Sequence, residues 1–88
     1  MNRLEGKVAI ITGASGGIGK AAAKLFIEEG ADVLMVDLRE DELSSACNEM
    51  NSNKVSYFVG DVTKASDNLE AVRLATERYG GLDVFIAN

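Results

Sequence analysis

Short continuous apolar runs alternate along the chain with longer stretches in which apolar residues return every three or four positions. Lys7–Thr12 holds Val8-Ala9-Ile10-Ile11, a β-branched run that reads as a strand buried on both faces. From Ile18 to about Glu29 the period becomes helical, with Ile18, Ala22, Leu25 and Phe26 on one face and Lys20, Lys24 and Glu28 on the polar stripe. Gly30 marks the helix stop. Ala31–Asp37 is a second strand with the body Val33-Leu34-Met35-Val36. A second helix runs from Glu40 to about Asn51 and turns Leu43, Ala46, Cys47 and Met50 inward. Lys54–Val59 is a third strand, ended by Gly60-Asp61. Thr63 is the expected N-cap of a third helix reaching Tyr79, with Leu69, Val72, Ala75, Thr76 and Tyr79 on its inner face. Gly80-Gly81 stops that helix, and Leu82–Ala87 reads as a fourth strand.

The order β-α-β-α-β-α-β, with strands apolar on both faces, predicts an α/β fold: a doubly wound parallel sheet covered by helices on both sides. Right-handed crossovers leave few topologies. If the glycine-rich turn after the first strand is a dinucleotide turn, the strand order is 3-2-1-4. A ligand then binds over the carboxyl ends, at the switch point between strands 1 and 4. The chain has no repeat, linker, low-complexity segment or proline, so residues 1–88 read as one domain.

Composition narrows the function classes. Nine basic and fourteen acidic residues give a net charge of −5, which argues against general nucleic-acid binding. Apolar runs reach only four residues, too short for a membrane span. No basic stretch precedes an apolar one in the manner of a secretory signal. The one cysteine, Cys47, reads as a core residue, and its lack of an internal partner fits a cytoplasmic protein. The absence of histidine removes the usual general base and the commonest metal ligand, and no metal site is expected.

Candidate chemistry gathers where the predicted strands end. Thr12-Gly13-Ala14-Ser15-Gly16-Gly17-Ile18-Gly19 joins a strand to an amphipathic helix. The first N–H groups of a helix lack intrahelical partners and carry partial positive charge. Glycines at 13, 17 and 19 let a pyrophosphate approach them. The spacing is Gly-x3-Gly-x-Gly rather than the more familiar Gly-x-Gly-x-x-Gly. The alternative reading is glycines that serve only tight turning and close helix packing.

Asp37 closes the second strand, eighteen residues after Gly19. A carboxylate there accepts hydrogen bonds from adenosine ribose hydroxyls and repels a 2′-phosphate; the other reading is a turn acid before the next helix. Arg39 stands against this, because a nearby arginine accommodates a 2′-phosphate. The glycine turn itself brings no basic side chain before Ile18, so NAD is favoured over NADP. Asp61-Val62 ends the third strand, where an acid meets the adenine amino group and Val62 packs on the ring, or where the pair forms only a strand-end turn.

Taken together, Thr12–Gly19, Asp37, Asp61-Val62-Thr63 and Leu82-Asp83-Val84-Phe85-Ile86-Ala87-Asn88 resemble the N-terminal part of a short-chain dehydrogenase/reductase, over the whole chain. The resemblance implies a Rossmann-type, NAD(P)-binding domain and an oxidoreductase that moves hydride between nicotinamide and an alcohol or carbonyl substrate. By the same resemblance Gly13, Gly17 and Gly19 line the pyrophosphate, and Ser15 and Ile18 sit beside ribose and phosphates. Asp37 binds the adenosine ribose, and Asp61 and Val62 meet the adenine. Asn88 matches the asparagine of the family's Asn-Ala-Gly element, which supports the sheet and contacts the cofactor. Dimers or tetramers are common in the family, so a homo-oligomer is implied.

The family's catalytic serine and Tyr-x3-Lys pair have no counterpart here. Four residues after Tyr57 stands Asp61, and four after Tyr79 stands Asp83, so no catalytic residue is assigned. An apolar fourth strand would also form an uncovered edge. These features lead us to expect an incomplete domain, part of a longer enzyme. The competing expectations are a non-catalytic module that binds ADP or NAD, and a scaffold whose fourth strand pairs with another chain.

Overall fold

A computed structural model describes residues 3–88; residues 1 and 2 of the expected 1–88 domain lie outside the described residues. The elements are β1 (Val8–Thr12), α1 (Gly17–Glu28), β2 (Asp32–Asp37), α2 (Glu40–Met50), β3 (Val55–Val59), α3 (Ala65–Tyr79) and β4 (Val84–Ile86). They form a four-stranded sheet of order β3-β2-β1-β4, with every pairing parallel. This is the doubly wound α/β topology that the alternation of periods predicts. β4 is shorter than the expected Leu82–Ala87, because only Val84, Phe85 and Ile86 find ladder partners on β1.

The continuous apolar runs become the two central strands. All five residues of β1 are buried, as are Val33–Val36 of β2. Alternation then splits their side chains between two layers. Ala9, Ile11, Val33 and Met35 pack with Ala23 of α1 and with Leu43 and Ala46 of α2. Val8, Ile10, Leu34 and Val36 pack with Ala71 and Ala75 of α3. The outer strands β3 and β4 are only half-buried. Cys47 is a core residue as expected, half-buried with Sγ 3.6 Å from Met35 Sδ, and burial pushes its thiol pKa up. Tyr57 and Tyr79 pack against the two layers. The Tyr79 hydroxyl lies 2.6 Å from Ser56 Oγ and donates to the carbonyl of Val33.

Two helices sit in a different rotation from the one the apolar pattern predicts. α1 buries Gly19 and Ala23 and packs Ala22, Phe26 and Ile27 against the sheet, while Ile18 is 79% and Leu25 55% exposed. The contact at Gly19 is so close that small residues take the inner line, and the larger Ile18 and Leu25 turn outward. α3 likewise buries Ala71 and Ala75, half-buries Val72, Leu74 and Tyr79, and leaves Leu69 and Thr76 exposed. Its N-cap is Lys64, not Thr63. The Thr63 hydroxyl instead donates to Asp61 Oδ1 at 2.6 Å.

Candidate functional site

The carboxyl ends of β1 and β4 meet at Thr12, Gly13 and Asn88. Thr12, 2% exposed, donates its hydroxyl to the Ile86 carbonyl at 3.3 Å and accepts from the Asn88 N–H at 3.1 Å. One buried hydroxyl thus satisfies a donor and an acceptor where the ladder between the two strands ends. Asn88 Nδ2 in turn donates to the Gly13 carbonyl at 3.2 Å. Gly13 has φ +61, a left-handed conformation that glycine adopts without strain.

The turn that follows depends on close packing. A Cβ at Gly19 would lie against the Gly13 carbonyl oxygen, 2.8 Å from Ala14 Cα and 2.9 Å from Asn88 Nδ2. Most of that is backbone, which cannot give way. Gly17 is the opposite case, since a Cβ there would meet nothing within 4 Å. α1 starts with Gly16 in an extended conformation and no side-chain cap. Among the described residues, the N–H groups of Gly17, Ile18 and Gly19 find no acceptor. They therefore open outward at the positive end of a twelve-residue helix.

Asp37 ends β2 beside this turn. Its Oδ2 accepts from the Ser15 N–H at 3.0 Å and the Ser15 hydroxyl at 2.5 Å, and its Oδ1 accepts from the Leu38 N–H at 2.7 Å. Burial raises the carboxyl pKa, but the Ser15 and Leu38 hydrogen bonds and the charge of Arg39 outweigh it and hold the group below its ordinary value. Asp37 is thus an ionised acceptor with about one lone-pair site left beyond those three bonds, on Oδ1. Ser15, expected beside ribose and phosphates, is fastened to Asp37, so the two residues act as one unit.

Asp61 and Val62 form a separate loop after β3. Asp61 Oδ1 accepts from the Thr63 N–H at 2.9 Å as well as from its hydroxyl. The Thr63 hydroxyl, then its N–H, hold the Asp61 carboxyl below its ordinary value. Asp67 Oδ2 accepts from the Asp61 N–H at 2.8 Å, and Asn68 Nδ2 donates to the Val62 carbonyl at 2.8 Å. Val62 stays 42% exposed.

All nine residues singled out in the sequence lie along the carboxyl edge of the sheet. Gly13, Gly17, Ile18, Gly19 and Asn88 surround the switch point; Ser15 and Asp37 bond directly; Asp61 and Val62 stand one strand further out. Sequence reasoning missed Thr12, whose hydroxyl at the end of an apolar run was the available signal. It also missed Leu38, which is 65% exposed beside Asp37. Its signal was an apolar residue placed directly after a strand-end acid. Among the described residues, no group of three or more acids or thiols could hold a metal ion, and no helix is long and apolar enough to cross a membrane.

The sequence profile of the family described as short chain dehydrogenase matches residues 7–88. The chain belongs to the short-chain dehydrogenase/reductase family. It is 41% identical over 86 residues to short-chain dehydrogenase reductase 3a of Arabidopsis thaliana, covering 98% of this chain and 34% of that protein. It is 43% identical over 88 residues to a borneol dehydrogenase, mitochondrial, of Lavandula x intermedia, covering 100% of this chain and 33% of that one. Among solved structures, a 3-ketoacyl-(acyl-carrier-protein) reductase from Brucella melitensis complexed with NADH superposes with a TM-score of 0.87 at 35% identity, over 93% of this chain and 34% of that chain. The chain spans about a third of the length of the curated relatives it matches. The segment that aligns with these short-chain dehydrogenases carries the glycine turn, Asp37 and the Thr12–Asn88 junction.

Proposed function

We propose that residues 1–88 form one nicotinamide dinucleotide-binding unit of a cytoplasmic, NAD-dependent oxidoreductase acting on an alcohol or carbonyl substrate. The observation that carries this reading is the start of α1. Its free N–H groups open at the switch point between β1 and β4, with the ionised Asp37 alongside. That arrangement suits a pyrophosphate on the helix and a ribose on the carboxylate.

In this reading Gly17, Ile18 and Gly19 donate to the pyrophosphate, and the open space over Gly17 admits it. Gly13 and Gly19 keep the turn tight. Asp37, held by Ser15, accepts from the ribose hydroxyls. Asp61 and Val62 border the adenine, and Leu38 offers a second apolar surface to the ring. Asn88 holds the far wall by its bond to Gly13. A bound dinucleotide would supply hydride transfer through its nicotinamide; the residues named here would hold its adenosine and pyrophosphate. No residue here is assigned a catalytic role, and homo-oligomer formation follows only from family habit.

The test is calorimetric titration with NAD+, in the wild type and in Gly17→Ala. The wild type is expected to bind. Gly17→Ala is expected to keep its unfolding midpoint, since its Cβ meets nothing, while losing at least about tenfold in affinity because the methyl group stands in the path of the phosphate. Equal affinity in the two proteins would remove the pyrophosphate from this turn. A second reading, a module that binds the ADP half without turnover, is favoured by Tyr57 and Tyr79, each followed four residues on by an aspartate rather than a lysine. NADH formation with a panel of alcohols separates the two readings.

A further inference from the structure

Next to Ser15, the starts of α1 and α2 enclose a cavity of about 320 Å3 lined by Ser15, Lys20, Asp41, Glu42, Ser45 and Ala46. Two cations stand at this end of the site, and a glutamate holds each. Arg39, the N-cap residue of α2, donates from Nη1 to Glu42 Oε2 at 2.9 Å. Lys20, on the cavity wall, pairs with Glu49 across the gap between α1 and α2. Glu40, Asp41 and Glu42 fill the first turn of α2.

A phosphate monoester carries a charge of roughly −1.5 to −2 at pH 7 and needs a cation to receive it. Arginine is the usual receiver of a 2′-phosphate beside such a strand end. Here the one arginine next to Asp37 is already bonded, and the lysine on the cavity wall is too. Two acids, Asp41 and Glu42, stand on the cavity wall with that lysine. An adenosine ribose with a free 2′-hydroxyl needs none of these cations, because Asp37 accepts from it.

We propose that Glu42 and Glu49 are specificity-determining residues. By holding Arg39 and Lys20 and adding negative charge, they exclude the 2′-phosphorylated dinucleotide and leave the site to NAD. Discrimination is then shared between Asp37 and two glutamates that act through the cations they hold. The proposal rests on the dinucleotide reading above and assigns which form of the cofactor enters.

The experiment titrates the full chain with NAD+ and NADP+ by calorimetry, comparing wild type, Glu42→Gln, Glu42→Gln/Glu49→Gln, Arg39→Ala and Glu42→Gln/Arg39→Ala. Both ion pairs are exposed, so each freed cation is expected to improve NADP+ affinity by about two- to fivefold, with NAD+ affinity held within about twofold. Adding Arg39→Ala to Glu42→Gln is expected to erase the gain. Arg39→Ala alone is expected to leave NADP+ affinity unchanged, because the arginine is already engaged. If Arg39→Ala alone weakens NADP+ binding, the arginine already serves the phosphate and the proposal is overturned. It is equally overturned if Glu42→Gln leaves the NADP+/NAD+ ratio unmoved, whether or not the unfolding midpoint falls, since the pair then at most steadies the first turn of α2. In both cases measured NAD+ binding leaves the dinucleotide reading in place. A wild type that binds neither cofactor removes that reading, and this one with it.

Discussion

The β1–α1 turn and the loop after β3 leave the same edge of the sheet, but they are held by opposite means. The turn is fixed from far away in sequence. Thr12 and Gly13 are bonded by Asn88, 76 and 75 residues later, and Ser15 by Asp37, 22 residues later. The loop is fixed by its neighbours, with Asp61 bonded to Thr63 and Asp67, and Val62 to Asn68. A turn built from distant parts has no slack, because every partner belongs to another packed element. A loop built from its own side chains and backbone tolerates the loss of one of them. The part of the site that would carry the pyrophosphate is thus the rigid one, and the part that would border the adenine is adaptable.

Substitutions should rank by this difference. Gly19→Ala is expected to do the most damage, costing about 3 kcal/mol in urea unfolding, since its Cβ meets the backbone of residues 13 and 14. Thr12→Val keeps the shape and removes the hydroxyl. It strands the Asn88 N–H and the Ile86 carbonyl, for an expected loss of about 1–3 kcal/mol by the same measurement. Asp37→Asn acts through pH. The folded carboxyl has its pKa below the ordinary 3.8. Its bonds therefore contribute stability above the unfolded pKa, and that contribution is lost as pH falls through the folded value. The unfolding midpoint of the variant should fall less than that of wild type between neutral and strongly acidic pH. An identical fall would show that the Ser15 pairing carries no stability. Asp61→Ala is expected to have the smallest effect, leaving the unfolding midpoint within experimental error while loosening the Val62 loop in amide exchange. A shift as large as that of Thr12→Val would abolish the contrast between the two regions.

The sheet was legible because its evidence is local. Val8–Ile11 and Val33–Val36 are apolar without interruption, and a strand buried on both faces is what such runs require. The strand order followed from the glycine turn, since a dinucleotide turn places the first strand beside the fourth. The helix rotations were not legible in the same way. Counting large apolar residues put Ile18 and Leu25 of α1, and Leu69 of α3, on the inner faces. Yet α1 approaches the sheet at Gly19 and Ala23, and α3 at Ala71 and Ala75. Close approach selects the smallest residues, which a scale of hydrophobicity ranks low. The site residues could be named from their spacing, but not how they are linked. Nothing local says that Ser15 bonds Asp37, or that Thr12 bridges Ile86 and Asn88, because those bonds exist only once the sheet is assembled.

The bond from Asn88 to Gly13 also sets an order in time. A ribosome delivers the glycine turn early and the residue that locks it 75 positions later. At about 5–20 residues per second, the turn waits about 4–15 seconds for its clasp. During that interval β1, α1 and β2 can pack, but the carbonyl of Gly13 has only the local Gly16 N–H, at 3.3 Å, and water to bond. The first-made part of the candidate site is the last to be finished, and a nascent chain halted before Asn88 would present the glycine turn with one wall missing.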